Sequence, residues 1–129
     1  MLHHVELYVA DLELSLAFWT PFLESLGYHE SQRWPEGVSY MSGETYLCFV
    51  QVPQDHIAAG YHRQRIGLNH LAFHARSRTH VDEVARWVKS AGFTVLYEDK
   101  YPYAGGPDYY ALYCEDPNRI KVELVAPDA

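Results

Sequence analysis

Apolar and polar positions alternate with a period of two in several short runs, and two helical stretches separate those runs. In an extended strand successive side chains point to opposite faces. Residues 67–75 therefore place Leu71, Phe73 and Ala75 on one face and His70, Ala72 and His74 on the other. The opening of the chain repeats this pattern. Val5, Leu7 and Val9 share an apolar face, and His4, Glu6 and Tyr8 share a polar one. His4 and His70 match at an offset of 66 residues (70 − 4), about half of the 129-residue chain.

The intervening pattern predicts the remaining elements. Asp11 caps a helix that starts at Leu12 or Glu13. Leu12, Leu16, Trp19, Leu23 and Leu26 recur at spacings of three and four and mark its buried stripe. Pro21 interrupts that stripe and predicts a kink or a break into two short helices, because proline removes a backbone donor and clashes with the preceding turn. Gly27 is the stop. Strands follow at about Tyr28–Trp34, Val38–Met41 and Thr45–Val52, with turns at Pro35–Gly37 and Ser42-Gly43. Residues 54–66 read as a linker with a helical turn at Gln54–Ala59. The second copy continues with a helix starting at Thr79, in a capping-box-like arrangement with Asp82. Val81, Val84, Ala85, Val88 and Ala91 form its buried face, and Gly92 is its stop. Strands are expected at about Phe93–Glu98, Tyr109–Cys114 and Ile120–Val125.

The order β-α-β-β-β thus occurs twice, in residues 2–53 and 67–127, and predicts one α+β domain over 1–129 built from two βαβββ modules. Each helix covers one face of its sheet. The uncovered faces of two joined sheets would form a cup, carrying His4, Glu6 and Tyr8 from the first strand and His70 and His74 from the fifth. In the last strand Ile120, Val122 and Leu124 face the helix, and Lys121, Glu123 and Val125 face the cup.

Composition narrows the function. Eleven Tyr, five Phe and three Trp suit the walls of a small-molecule pocket. A formal charge of −7 with no long basic run argues against nucleic acid, which needs Lys and Arg on its phosphates. No apolar run approaches the roughly 18 residues of a membrane span, and no secretory signal opens the chain. Cys48 and Cys114 form no CxxC pair and read as buried thiols in a reducing cytoplasm. The run His62-Arg63-Gln64-Arg65 is mostly solvated connector, with Arg63 and Arg65 as candidates for a positive rim beside an anion.

Two imidazoles and a carboxylate on converging strands are the composition of a divalent metal site with open positions. His4, His70 and Glu123 are the candidate ligands, a set that suits zinc or a 2-His-1-carboxylate iron centre. Such an ion polarises a substrate oxygen or lowers the pKa of a bound water. The symmetry-like placement of the two histidines, and a carboxylate in an apolar strand, carry this reading. Tyr8 and His74 are candidates for acid–base work beside it, with Glu123. Tyr110 and Trp34 are further aromatic candidates for the wall, and Gly105-Gly106 reads as a turn, with a gate over the cavity as the functional alternative.

These residues give the chain a resemblance to the vicinal oxygen chelate superfamily, the glyoxalase/bleomycin-resistance/dioxygenase group. It is carried by His4–Leu12, Phe18-Trp19, Leu26–Tyr28, Leu68–Phe73, Tyr113–Arg119 and Lys121–Leu124. The resemblance implies paired modules around a metal cup, with ligands at His4, His70 and Glu123, a divalent ion (Zn, Ni, Mn or Fe), a small oxygen-chelating substrate and a homodimer. It implies a lyase, an isomerase or a thiol transferase. Glyoxalase I enzymes carry a fourth ligand on the last strand of the first module. Aligning Pro53 with Pro127 sets Phe49 opposite Glu123, with Gln51 on the same strand face as the one possible replacement. The three-ligand set is similar to fosfomycin-resistance transferases, though no potassium site is recognisable. A metal-free drug-binding protein and a ring-cleaving dioxygenase are the alternatives.

Overall fold

The computed structural model describes residues 1–128. The elements are β1 (His4–Val9), α1 (Leu12–Ser25), β2 (His29–Trp34), β3 (Gly37–Ser42), β4 (Thr45–Gln51), β5 (His70–His74), α2 (Arg78–Ser90), β6 (Val95–Leu96), β7 (Ala111–Glu115) and β8 (Lys121–Val125). Short 3-10 turns lie at Gln54–Ala59 and Glu98–Lys100. The chain divides into two compact units, Met1–Gly60 and the part from Tyr61 on. Each is a βαβββ module with one four-stranded sheet, ordered β1-β4-β3-β2 in the first and β5-β8-β7-β6 in the second. In both, the first strand runs parallel to the last, and the other pairings are antiparallel. The repeat predicted from the sequence is therefore a repeat of topology.

In the first unit Asp11 caps α1 by accepting from the Leu14 amide at 3.1 Å. The helix runs unbroken through Pro21, against the expected break. Its buried face is Ser15, Phe18, Trp19, Phe22 and Leu23, rotated from the predicted stripe, and Leu14 is exposed. Pro21 points to solvent, where water can satisfy the freed carbonyl. A mid-helix proline costs about 3 kcal/mol. Full burial of Phe18, Trp19 and Phe22, each contributing about 1.5–3 kcal/mol, outweighs it. Trp19 packs on Phe49 of β4 with ring centroids 4.8 Å apart, which fixes Phe49 on the helix side of the sheet.

In the second unit α2 starts at Arg78, and Ser77 is its cap, accepting from the His80 amide at 3.0 Å. Thr79, the expected start, is the second residue of the first turn. The buried face is His80, Val81, Val84 and Val88, and Ala85 and Ala91 fall outside it. These side chains are buried together with Leu112, Cys114, Val122 and Leu124. The predicted strand at Phe93–Glu98 shrinks to Val95–Leu96, because Tyr97 adopts a left-handed conformation (φ 53°) that ends the pairing. Both helices end alike. Tyr28 N–H reaches Leu23 O and Gly27 N–H reaches Glu24 O, both at 3.0 Å, and Phe93 and Gly92 repeat those bonds to Val88 and Lys89. These are Schellman closures, which need the left-handed backbone seen at Gly27 (φ 93°) and Gly92 (φ 86°).

Candidate functional site

The uncovered face of the second sheet carries the polar residues of β5 and β8. Strand register sets Ala72 beside Glu123 and Glu123 beside Tyr113. One row away His70 pairs with Lys121, and on the other side His74 pairs with Val125. Glu123 is buried, with 4% of its surface exposed, and both of its oxygens are engaged. His70 Nε2 lies 3.3 Å from Oε1, and the Tyr109 hydroxyl donates a short hydrogen bond to Oε2. That bond, followed by burial, pushes the Tyr109 phenol up to about 12, so it stays a donor at neutral pH. Burial, with Glu123 adding to it, also raises the Tyr113 phenol.

Asn69 sets the chemistry of His70. Its side-chain carbonyl lies 2.6 Å from Nδ1, and a carbonyl only accepts, so Nδ1 carries the hydrogen. A neutral imidazole then presents its Nε2 lone pair to a carboxylate oxygen. Two acceptors facing one another at 3.3 Å call for a proton or a cation shared between them. An imidazole whose second nitrogen is held by a carbonyl, next to a hydrogen-bonded carboxylate, is the outer-shell arrangement of metal ligands. The donor set fits a divalent ion.

Among the predicted residues of this unit, His70 and Glu123 are brought together. His74 lies apart from that pair and lines a neighbouring cavity of about 410 Å³ with Tyr109 and Val125. Tyr110 lines the same cavity with its hydroxyl turned to α2. Its hydroxyl donates to Asp82 on α2 at 2.6 Å, and Tyr101 donates to the same oxygen at 2.5 Å. Asp82 is therefore the anchor of the loop before β7, not part of a capping box. Arg63 is bound to the buried Glu115 at 2.6 Å, a structural ion pair in place of the expected rim. Tyr109 and Asn69 were missed from sequence. Counting back by two from Tyr113, the partner of Glu123, selects Tyr109 and rejects Tyr110, and that was the available signal.

In the first unit His4, Glu6 and Tyr8 share the uncovered face as predicted. The ring of His4 stacks on Tyr46 with centroids 4.6 Å apart, and its Nδ1 lies 2.9 Å from His3 Nδ1. Tyr8 is 65% exposed. Register corrects the alignment of the two copies: Glu6 pairs with Cys48 as Ala72 pairs with Glu123. Cys48, not Phe49, is the counterpart of Glu123. Burial, then Glu6, raises its thiol pKa. Gln51 is no free ligand, because its amide accepts from Leu12 N at 2.9 Å and donates to Ala10 O at 2.8 Å, fastening β4 to the start of α1. Trp34 is half-buried at the β2–β3 turn. Within either unit, among the described residues, no three His, Cys, Asp or Glu side chains gather as a metal cluster.

Two βαβββ modules with a buried carboxylate beside a partly exposed imidazole on the uncovered face of the second define a class, and sequence comparison agrees. Residues 1–124 match the Glyoxalase/Bleomycin resistance protein/Dioxygenase superfamily, and the chain belongs to it. It is 52% identical over 126 residues to the uncharacterized protein YqjT of Bacillus subtilis (strain 168), covering 98% of each chain. A crystal structure from Bacillus halodurans, provisionally described as a glyoxalase, is 57% identical, with a TM-score of 0.97 over 98% of this chain and 96% of that one. Lactoylglutathione lyase of Agrobacterium tumefaciens shares the fold, with a TM-score of 0.67 at 19% identity over 99% of this chain and 94% of that one.

Proposed function

We propose that the chain is a divalent-metal-dependent enzyme acting on a small substrate that chelates through two oxygens, in a lyase, isomerase or nucleophilic-addition reaction. The ligands are His70, Glu123 and His4, the last from the family position that the first strand matches. The observation that carries this reading is the His70–Glu123 pair, steadied by Asn69 on one side and Tyr109 on the other. A divalent ion there (Zn, Ni, Mn or Fe) supplies Lewis acidity to substrate oxygens.

The chain's own residues do the rest. Asn69 holds the His70 ring in the tautomer that leaves Nε2 available. Tyr109 occupies one carboxylate oxygen of Glu123 and leaves the other directed at His70. Burial keeps water from competing for that carboxylate. His74, on the cavity wall two residues beyond Ala72, takes or gives the substrate proton. Tyr8 is the matching acid–base candidate of the first module.

Metal analysis of purified protein tests the proposal. About one equivalent of divalent ion per chain is expected, lost in His4→Ala, His70→Ala and Glu123→Ala. Unchanged metal content in His70→Ala or Glu123→Ala overturns it. The resemblance also implies pairing of two copies, which light scattering checks. No described helix is long and apolar enough to cross a membrane. Cys48 and Cys114 are both free and buried, which supports a reducing compartment.

A further inference from the structure

We infer that the cavity beside Glu123 is a substrate pocket that selects cationic molecules over anionic ones. The inference rests on the preceding reading of His70 and Glu123 as the reactive centre. The cavity measures about 410 Å³, within the roughly 300–1,000 Å³ range of small-molecule pockets. Tyr109 joins it to the centre, since the same side chain lines the cavity and bonds Glu123. Ala72 and Val125 lie on the uncovered sheet face next to Glu123 and supply an apolar wall.

The charges around the cavity are one-sided. Asp108 and Asp128 line it, His74 is its one basic group, and among the described residues no Lys or Arg lines it. Arg78 lies over the ring of Tyr110, which lines the cavity, 4.9 Å from its centroid, and donates to the Tyr103 hydroxyl at 3.3 Å, while other cations of the same unit have partners outside the lining. Arg63 and Arg119 lie on Glu115, and Lys121 sits over the rings of Tyr97 and Tyr113, 5.0 and 5.1 Å from their centroids. The chain as a whole carries a formal charge of −7. An anionic ligand entering this cavity meets two carboxylates with no Lys or Arg in the lining to offset them, whereas an ammonium group finds a counter-charge in Asp108 or Asp128. A flat apolar body can then lie against Tyr109 and Val125. The ligand class is a small amine with an aromatic or similarly planar body. A glutathione conjugate, with its two carboxylates, does not fit that lining.

Three probes of one shape and different charge test this: tyramine, 4-ethylphenol and 3-(4-hydroxyphenyl)propionate. Their affinities for the full chain are measured by calorimetry or ligand-observed NMR, with and without added divalent metal. Tyramine is expected to bind about tenfold or more tighter than the propionate in metal-free protein, with the neutral phenol between them. The order should compress to within about twofold in Asp108→Asn/Asp128→Asn, and also at high salt. Both substituted positions are exposed, so the variant should fold. Equal or tighter binding of the propionate overturns the inference, as does a charge order that survives in the double variant, or no saturable binding of any probe. Metal content of the same samples reports separately on the catalytic reading. A lost charge order with metal retained defeats the pocket; a preserved charge order with no metal bound defeats the catalytic reading.

Discussion

Asp82 receives two phenol hydrogens on one oxygen, from Tyr101 at 2.5 Å and Tyr110 at 2.6 Å. Burial first, then the carboxylate, raises the pKa of both tyrosines. A raised phenol pKa stabilises the fold while pH lies below the unfolded value near 10, and that contribution is lost as pH rises through the folded values. Spectrophotometric titration of tyrosinate should show both phenols ionising earlier in Asp82→Asn while burial still holds them late, and thermal melts of the wild type should fall from about pH 10 upward. Asp82→Ala should cost about 1–3 kcal/mol in denaturant melts, because two donors lose a charged acceptor. A variant as stable as the wild type, with an unchanged titration, would show that the two hydroxyls do not depend on this carboxylate. The tyrosines also show what a sequence can and cannot say at this scale. Period-two alternation singles out Tyr109 once Tyr113 is set opposite Glu123, yet Tyr110 looks as good by residue type alone. The loop before β7 hides where alternation begins. His70 and Glu123 were legible because regular strands flank both, and Asn69 was not, since its role depends on a rotamer.

At the scale of elements, both helix ends were legible because a Schellman closure demands a residue that tolerates positive φ, and Gly27 and Gly92 announce themselves. Gly27→Ala and Gly92→Ala should each lower stability by about 1–2 kcal/mol, the strain of a Cβ in the left-handed region. Nothing lies within 4 Å of a Cβ built at either position, so the loss should be conformational rather than steric. Helix interiors and starts were read less well. Pro21 suggested a break because local rules weigh its missing donor and not the burial of Phe18, Trp19 and Phe22 beside it. Thr79 has a side chain suited to a helix start, yet the backbone sets the cap two residues earlier, at Ser77. Replacing Pro21 with Ala should restore one helical hydrogen bond at a solvent-facing position and raise the unfolding free energy, and with it the midpoint, by about 2–2.6 kcal/mol, the helix gain of about 3 less the roughly 0.4–1 of entropy returned to the unfolded chain. An unchanged or lowered midpoint would mean that the proline ring is itself part of the packing.

For the whole molecule, the 66-residue offset between His4 and His70 made the duplicated architecture readable, because duplication leaves the same alternation in both copies. The register of β4 against β8 was not readable, since the matching prolines after them suggest an alignment one residue away from the strand pairing that sets Cys48 against Glu6. If the proposed ligands hold an ion, its binding should be coupled to the stability of the folded chain. An ion that binds only the folded form adds about 2.7 kcal/mol at a hundredfold excess over its dissociation constant. For a chain of this length that is roughly 10 °C in melting temperature. Melts with and without added zinc, nickel, manganese or iron(II) should show that rise for the wild type with at least one ion, and the chelated protein should lose it. His70→Ala and Glu123→Ala should melt at a temperature independent of the ion. Asp82→Ala should melt lower than the wild type and still respond to the ion, which separates damage to the fold from loss of the ligands. If the ion stabilises Glu123→Ala as much as the wild type, it binds at some other group, and the pair of His70 and buried Glu123 is then a structural ion pair of the second module.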